Sequence, residues 1–423
     1  MNLLRLALAS LANRRGTAAL TVISIAMSVA LLLSVEKLRR DARTSFTNTV
    51  SGVDLVVGAR SGAVQLLLYS VFRIGNATNN VTWESYEEIA ARPEIAWSIP
   101  FSLGDSHRGY RVLGTSDTYF ERYRHGDDRA LVFAEGAPFD DLFDAVLGSE
   151  VARALGYSLG DPLVVAHGTG SVGLVEHEDQ PFRVAGILAP TGTPVDATVH
   201  VSLGGIEAMH ADWQSGAQIP GQSTAPDELR ARAAAGELET RAITAFLLGL
   251  ESRRAVFRVQ RAINEYRAEP LLAVLPGVAL QELWNLVGVA ERALLIVSGC
   301  VVFAGLVNLV SVLLAGLEER RREIAILRAS GARPAHVFGL LGAEAGLLGL
   351  GGILAGLVLH YVALVGGGWW LERAFGLAIA LGPPAPRDWA TLGIVFACAI
   401  LAGCLPAWRA YRRSLADGMT IRL

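Results

Sequence analysis

The chain has 423 residues, 52% of them hydrophobic, and a mean hydropathy of +0.39. That is apolar for a soluble globule yet too polar for a bare membrane bundle, so membrane and water-soluble parts are both expected. The net charge of −3 offers no basic field for nucleic acid. The charge is divided, however: residues 36–292 carry 33 acidic and 23 basic side chains, and the remainder 7 and 14.

Taken in chain order, residues 1–15 read as a cytoplasmic N-terminus holding Arg5, Arg14 and Arg15. Gly16–Val35 is uncharged and long enough, at about 1.5 Å rise per residue, to cross a bilayer. Its apolar core exceeds a signal-peptide h-region, so it reads as a retained first transmembrane helix. Residues 36–292 form an extracytoplasmic α+β domain. Its β-rich runs are Asp54–Val57, Tyr110–Leu113, Leu163–Ala166, Phe182–Ala185, Thr198–Ser202, Ile243–Leu248 and Leu271–Leu275. Helices are expected at Trp83–Ala91 after the cap Thr82, Glu150–Leu155 after Ser149, Leu203–Met209 and Ser252–Tyr266. Gln214–Pro226 reads as a loop followed by an exposed helix. Glu36–Ser45 and Leu280–Arg292 read as helical stalks that continue the flanking spans.

The second span is 293–317, and 318–336 is a basic connecting segment. The third span, 337–365, carries only Glu344 and His360 as acidic or basic side chains. An outer loop at 366–388 is kept from helix by Pro383, Pro384 and Pro386. The fourth span is 389–408, with a tail at 409–423. Arginines crowd the short segments 318–336 and 409–423, so the positive-inside rule puts both termini in the cytoplasm and residues 36–292 outside. The fold class is thus a membrane protein of four transmembrane α-helices with a large α+β extracytoplasmic domain between helices 1 and 2.

Catalytic motifs are missing from the sequence. A Walker A loop needs a lysine after a glycine-rich turn, and the one lysine, Lys37, follows Leu-Ser-Val-Glu. No G-x-S-x-G or H-E-x-x-H occurs. His177-Glu178-Asp179 is the densest ligand-type group and reads as a solvated loop, so no metal site is expected.

The stretch after the second span reads EERRREIAILRASGA over 318–332. Composition alone allows an interfacial helix with positive-inside arginines; Ile324, Leu327 and Arg328 share one face, and Gly331 stops the helix. It also resembles the coupling segment of FtsX/MacB-type ABC transporter permeases, R-E-I-G-I-L-R-A-x-G-A, with Ala325 replacing a glycine and Ser330 an aliphatic residue. Glu344 matches an acidic residue often found early in the family's third span; as an interfacial carboxylate it could equally snorkel. Pro406-Ala407-Trp408-Arg409-Ala410 is similar to the family's P-A-x-x-A ending. Val146-Leu147-Gly148-Ser149-Glu150-Val151-Ala152, Leu159-Gly160-Asp161 and Phe182–Leu188 resemble a MacB-type core.

The resemblance implies a permease subunit without its own enzyme activity. A separate cytoplasmic ABC ATPase would use ATP and Mg, and this chain would bind no cofactor. Arg322, Glu323, Ile324, Ile326, Leu327, Arg328 and Gly331 would belong to the ATPase-coupling region. A second permease chain, as homodimer or heterodimer, and a periplasmic or outer-membrane partner are further expectations. The membrane would be the inner, cytoplasmic one. The cargo would be a lipid-like molecule, lipoprotein, peptide or small molecule. Two other readings stay open: an FtsX-like relay controlling an extracytoplasmic cell-wall hydrolase, and a membrane-anchored protein binding a ligand or metal. In the outer domain, Gln65, Leu66, Leu67, Leu68, Tyr69 and Phe72 form an apolar run, either buried or a surface for substrate or partner.

Overall fold

In a computed structural model of the chain, residues 3–168, 175–176, 181–214, 217–218, 224–319, 333–375 and 381–412 are described. Two compact units emerge: Met1–Asp41 with Gly288–Glu372 and Ile379–Leu423, and Ala42–Val287 with Arg373–Ala378.

The described helices are α1 (Leu3–Asn13), α2 (Arg15–Asn48), α3 (Ala63–Ser70), α4 (Trp83–Ala90), α5 (Thr118–Arg122), α6 (Ser149–Leu155), α7 (Leu203–Met209), α8 (Pro226–Ala234), α9 (Val256–Asn264), α10 (Pro276–Glu319), α11 (Pro334–Phe375) and α12 (Pro386–Arg412). The first unit contains α1, α11, α12 and the apolar parts of α2 and α10. Four of its helices are long and apolar enough to cross a membrane. Ile25, Val29 and Leu33 of α2 pack with Ile353 of α11 and with Leu392 and Val395 of α12. A second layer joins Leu309 and Leu313 of α10 to Ala345 and Leu348 of α11 and Ala399 of α12.

Helix α1 is not foreseen by the sequence reading, which leaves residues 1–15 without an element. Its Ala7 is buried and its Leu11 packs against the second layer. Helix α11 runs ten residues past the expected end of the third span at 365. Pro383 and Pro384 do lie in non-helical chain, but Pro386 opens α12. Proline fits the first helical position, where its missing N–H has no intrahelical partner to lose.

The second unit is built on a mixed sheet. Its main strands are β1 (Leu55–Ala59), β2 (Ile95–His107), β3 (Tyr110–Thr115), β4 (Phe133–Gly136), β5 (Asp144–Leu147), β6 (Phe182–Leu188), β7 (Thr198–Ser202), β8 (Ala245–Leu250) and β9 (Leu271–Val274). They lie in the order β9-β1-β8-β2-β3-β7-β5-β6-β4. Pairs β3–β7 and β5–β6 are parallel and the other neighbours antiparallel. Strand β1 is buried along its whole length because both faces are covered: Val56 joins one apolar cluster, Leu55 and Val57 another. Strand β6 alternates instead, with Phe182, Val184 and Leu188 inward and Arg183 outward.

Strand β2 joins the two halves of the sheet. Residues Ile95–Phe101 pair with β8 and Ser102–His107 with β3. It escapes sequence reading because Pro100 and Gly104 interrupt its pattern. Pro100 stands next to the changeover of partners, where a missing N–H disturbs the ladder least. Among the expected helices, Thr82 caps α4 through a bond from Ser85 N, and Ser202 caps α7 through one from Gly205 N. Ser149 is not a cap: α6 begins at Ser149 with Gly148 in the cap position. Helix α9 begins only at Val256, after a 3₁₀ turn at Arg253–Ala255.

Candidate functional site

The residues expected to couple to an ATPase, Arg322 to Gly331, lie outside the described residues. Only their brackets are seen: α10 ends at Glu319 and α11 begins at Pro334. His177-Glu178-Asp179 also lies outside. Among the described residues no group of three His, Cys, Asp or Glu side chains could hold a metal ion.

Glu344 is described, and it does not snorkel. Only 4% of it is exposed. It lines a small cavity with Arg14, between α1 and α2, Thr17 of α2 and Gly316 of α10. Arg14 Nη2 donates to the Gly316 carbonyl at 2.9 Å, tying the α1–α2 junction to α10 at this level. The cavity holds about 20 Å³, space for about one water. A buried carboxylate within a bundle is costly, so it is kept where polar groups surround it.

At the opposite ends of the same helices lies a polar layer. Arg40 of α2 donates to Asp388 of α12 at 2.7 Å, and Asp388 also accepts from Ala385 N at 2.8 Å. Arg39 bonds Glu36 at 2.7 Å and stands 3.8 Å from Glu291 of α10. His360 Nδ1 of α11 lies 2.9 Å from Ser34 Oγ of α2. Thus α2 has a polar contact with each of α10, α11 and α12 here. No residue of this layer except His360 draws notice in the sequence, because its partners are up to 348 residues apart.

The apolar run in the outer domain is mostly core. Leu66, Leu67, Tyr69 and Phe72 are buried, and only Gln65 is exposed and Leu68 half-buried. They cannot serve as an apolar surface: α3 lays them on β1, where Gly58 lacks the side chain that would strike Leu66 and Tyr69. The core-like motifs owe their glycines to close approach. A Cβ on Gly148 would lie 2.2 Å from the Val195 carbonyl oxygen, and one on Gly186 2.4 Å from that of Ala137.

His200 on β7 is fully buried, with Nδ1 donating to the Val146 carbonyl at 3.1 Å and Nε2 without a partner. Burial, then the charge of Arg73, push its pKa down to about 3. The unfolded imidazole, near 6.5, therefore takes up a proton that the folded one refuses. Stability is full above about pH 6.5 and falls by up to about 1.4 kcal/mol per pH unit on the way down. His125, also pushed down by burial, acts in the same direction. The thermal midpoint of the outer domain should drop between about pH 7 and pH 5, and His200→Gln should flatten that dependence. Equal slopes in the two proteins, followed by scanning fluorimetry, would remove His200 from the account.

A family profile described as MacB-like periplasmic core domain matches residues 17–246, and one described as FtsX-like permease C-terminal matches residues 295–415. The chain belongs to the FtsX/MacB-type ABC transporter permease family. Among solved structures, the periplasmic region of MacB from Actinobacillus actinomycetemcomitans is 12% identical with a TM-score of 0.33, over 57% of this chain and 98% of that one. The extracellular domain of the ABC-type transporter YknZ from Gram-positive bacteria is also 12% identical, with a TM-score of 0.29, over 52% and 99%. No curated protein matches the chain. Family membership accounts for the four spans and for the large domain between the first and second. In the FtsX/MacB-type permeases the ATPase sits in a partner.

Proposed function

We propose that this permease converts ATP hydrolysis by a separate cytoplasmic ABC ATPase into movement of its extracytoplasmic domain, extracting or exporting a substrate. The cargo class is a lipid-like molecule, lipoprotein, peptide or small molecule. The termini and the 318–336 segment are cytoplasmic in this reading, and the membrane is the inner one. Arg322, Glu323, Ile324, Ile326, Leu327, Arg328 and Gly331 dock on the ATPase, which alone uses ATP and Mg. A second permease chain completes the pair, and a periplasmic or outer-membrane partner can join on the far side.

The observation that carries this reading is the continuity of two helices. The 34 residues of α2 and the 44 of α10 run unbroken well past the ~20 that span a bilayer. A continuous helix transmits displacement along its axis, whereas a kink would absorb it, and α10 stays helical through Gly288, Gly299 and Gly305. The room at Glu344, about one water, favours such transmission over a substrate route through this part of the bundle.

Co-purification tests the proposal. An ATPase should accompany the wild-type chain, and Glu323→Arg or Leu327→Asp should abolish both its association and substrate-stimulated hydrolysis. If no ATPase copurifies and neither substitution alters function, the ATP-coupled reading fails and a membrane-anchored binding protein takes its place. If the complex forms but only a cell-wall hydrolase stimulates it, the protein is a relay rather than a transporter.

A further inference from the structure

Two short helices lie over one face of the outer-domain sheet. Val259 and Ile263 of α9 share an apolar cluster with Tyr86 and Ile89 of α4 and with Leu55 and Val57 of β1. Arg258 Nη2 stands 3.4 Å from Glu94 Oε1, and Tyr266 OH donates to Glu88, so the two helices are also linked along their polar sides. Burial of the inner residues decides which side chains face out. On α4 these are Glu84, Glu87 and Glu88, on one stripe at helical spacing. On α9 they include Phe257 and Arg261, joined by Arg254 from the turn before it.

The outward face is therefore divided by sign. Trp83–Ala90 holds three acidic residues and no basic one, and Arg253–Asn264 four basic residues and no acidic one. Among the described residues, Glu84, Arg254 and Arg261 have no salt-bridge partner. Phe257, placed between those two arginines in the chain, is 70% exposed. A ring so placed gains from burial only when a partner covers it.

We propose that this face docks on the same face of a second copy of the chain, the α4 carboxylates of each set against the α9 arginines of the other. The inference rests on the reading that a second permease chain pairs with this one, and adds that the partner is a copy and which face it meets. A two-fold contact is reciprocal, so a face with opposite signs on adjacent helices is complementary to itself. A uniformly acidic partner would be drawn to the arginines but repelled by Glu84, Glu87 and Glu88, and a uniformly basic one the reverse. Helices of 8 and 9 residues are only about 12–14 Å long, so the covered area falls well short of the ~800 Å² per partner of a stable free dimer. The contact therefore forms between chains already held in one membrane, where the local concentration is high.

The test uses the full chain in native membranes, with Cys300, Cys398 and Cys404 changed to serine. One tagged form carries Ala91→Cys, at the exposed end of the α4 stripe, and a second carries Phe257→Cys. Neither substitution alters a charge. A short bis-maleimide should join the two tags with at least about five times the yield of Phe257→Cys paired with Gln65→Cys. Gln65 is exposed on α3, which covers the opposite face of β1 through Val56. Arg254→Glu with Arg261→Glu in both forms should cut the yield about tenfold, by setting carboxylates against carboxylates. Adding Glu84→Arg with Glu87→Arg should restore it, because the exchanged signs match again. All four side chains are exposed, so these variants should fold, which their unfolding midpoints will confirm. Co-purification of the ATPase is read from the same membranes, so loss of this contact and failure of the ATP-coupled reading are separate results. Yield at the control level, indifference to the charge reversal, or no recovery in the exchanged protein overturns the proposal.

Discussion

Gly148→Ala should destabilise the extracytoplasmic domain by about 3 kcal/mol or more, a large effect for one methyl group. Backbone conformation is not the reason, since φ −65 and ψ 152 at Gly148 suit alanine. Space is. The new Cβ would stand 2.2 Å from the Val195 carbonyl oxygen and 2.3 Å from that of Asp196. Neither wall can retreat. Gly148 N is tied to the Thr198 carbonyl at 2.9 Å. On the other side the Asp196 carboxylate accepts from Thr191 N at 2.8 Å and Gly192 N at 2.7 Å, which pins the Pro194–Ala197 turn. The clash must therefore spread into β5 and α6, both parts of one apolar cluster through Leu147 and Val151. Chemical unfolding followed by tryptophan fluorescence will measure the loss. Gly62→Ala is the control: its nearest contact is 3.9 Å, and it should stay within about 0.5 kcal/mol of wild type. Equal stability of Gly148→Ala and the control would mean that the turn yields.

What could be read from sequence follows the range of the interactions involved. The four spans are local facts of hydropathy, and so are strands such as Thr198–Ser202, whose alternation is complete within the segment. The glycine of Val-Leu-Gly-Ser-Glu is visible as part of a family pattern, but its cause is a turn about 47 residues downstream, and this also explains why Ser149 fails as a cap. Strand β2 is hidden because two tertiary partners outweigh a proline and a glycine. The apolar run Gln65–Phe72 shows the limit of composition, since core and sticky surface have the same residues and only the fold over Gly58 separates them. Arg73 looks like a solvated arginine in the sequence; its positive φ and the burial of its Nε and Nη1 are visible only in the fold. The stretch proposed to couple to an ATPase remains where sequence alone speaks, through its resemblance to the family.

In the membrane unit the largest effect should come from Gly356→Val, which we expect to cost about 2–4 kcal/mol and to leave a heterogeneous protein in detergent. Gly352 and Gly356, one turn apart on α11, form the face against α2. A Cβ on Gly352 would lie 2.5 Å from Ile25 Cβ, and one on Gly356 2.8 Å from Val29 Cβ and 2.9 Å from the Ala26 carbonyl. His360, one turn further, meets Ser34 on the same seam. Lipid tails are as apolar as leucine, so the two helices gain little from burying hydrocarbon; close packing and polar contacts hold them instead. A valine at 356 would push the helices apart and forfeit the contacts of Ile25 and Val29, both nearly closed from the surroundings. Val29→Ala makes the argument specific. Alone it should destabilise, by removing packed methyl groups; combined with Gly356→Ala it should restore a small part of the loss, because one of the deleted atoms, Val29 Cγ1, is struck by the new Cβ at 2.9 Å, while Val29 Cβ and the Ala26 carbonyl still oppose it. Thermal unfolding of the single and double variants gives the coupling. A purely additive result would mean that α2 and α11 do not meet at this seam.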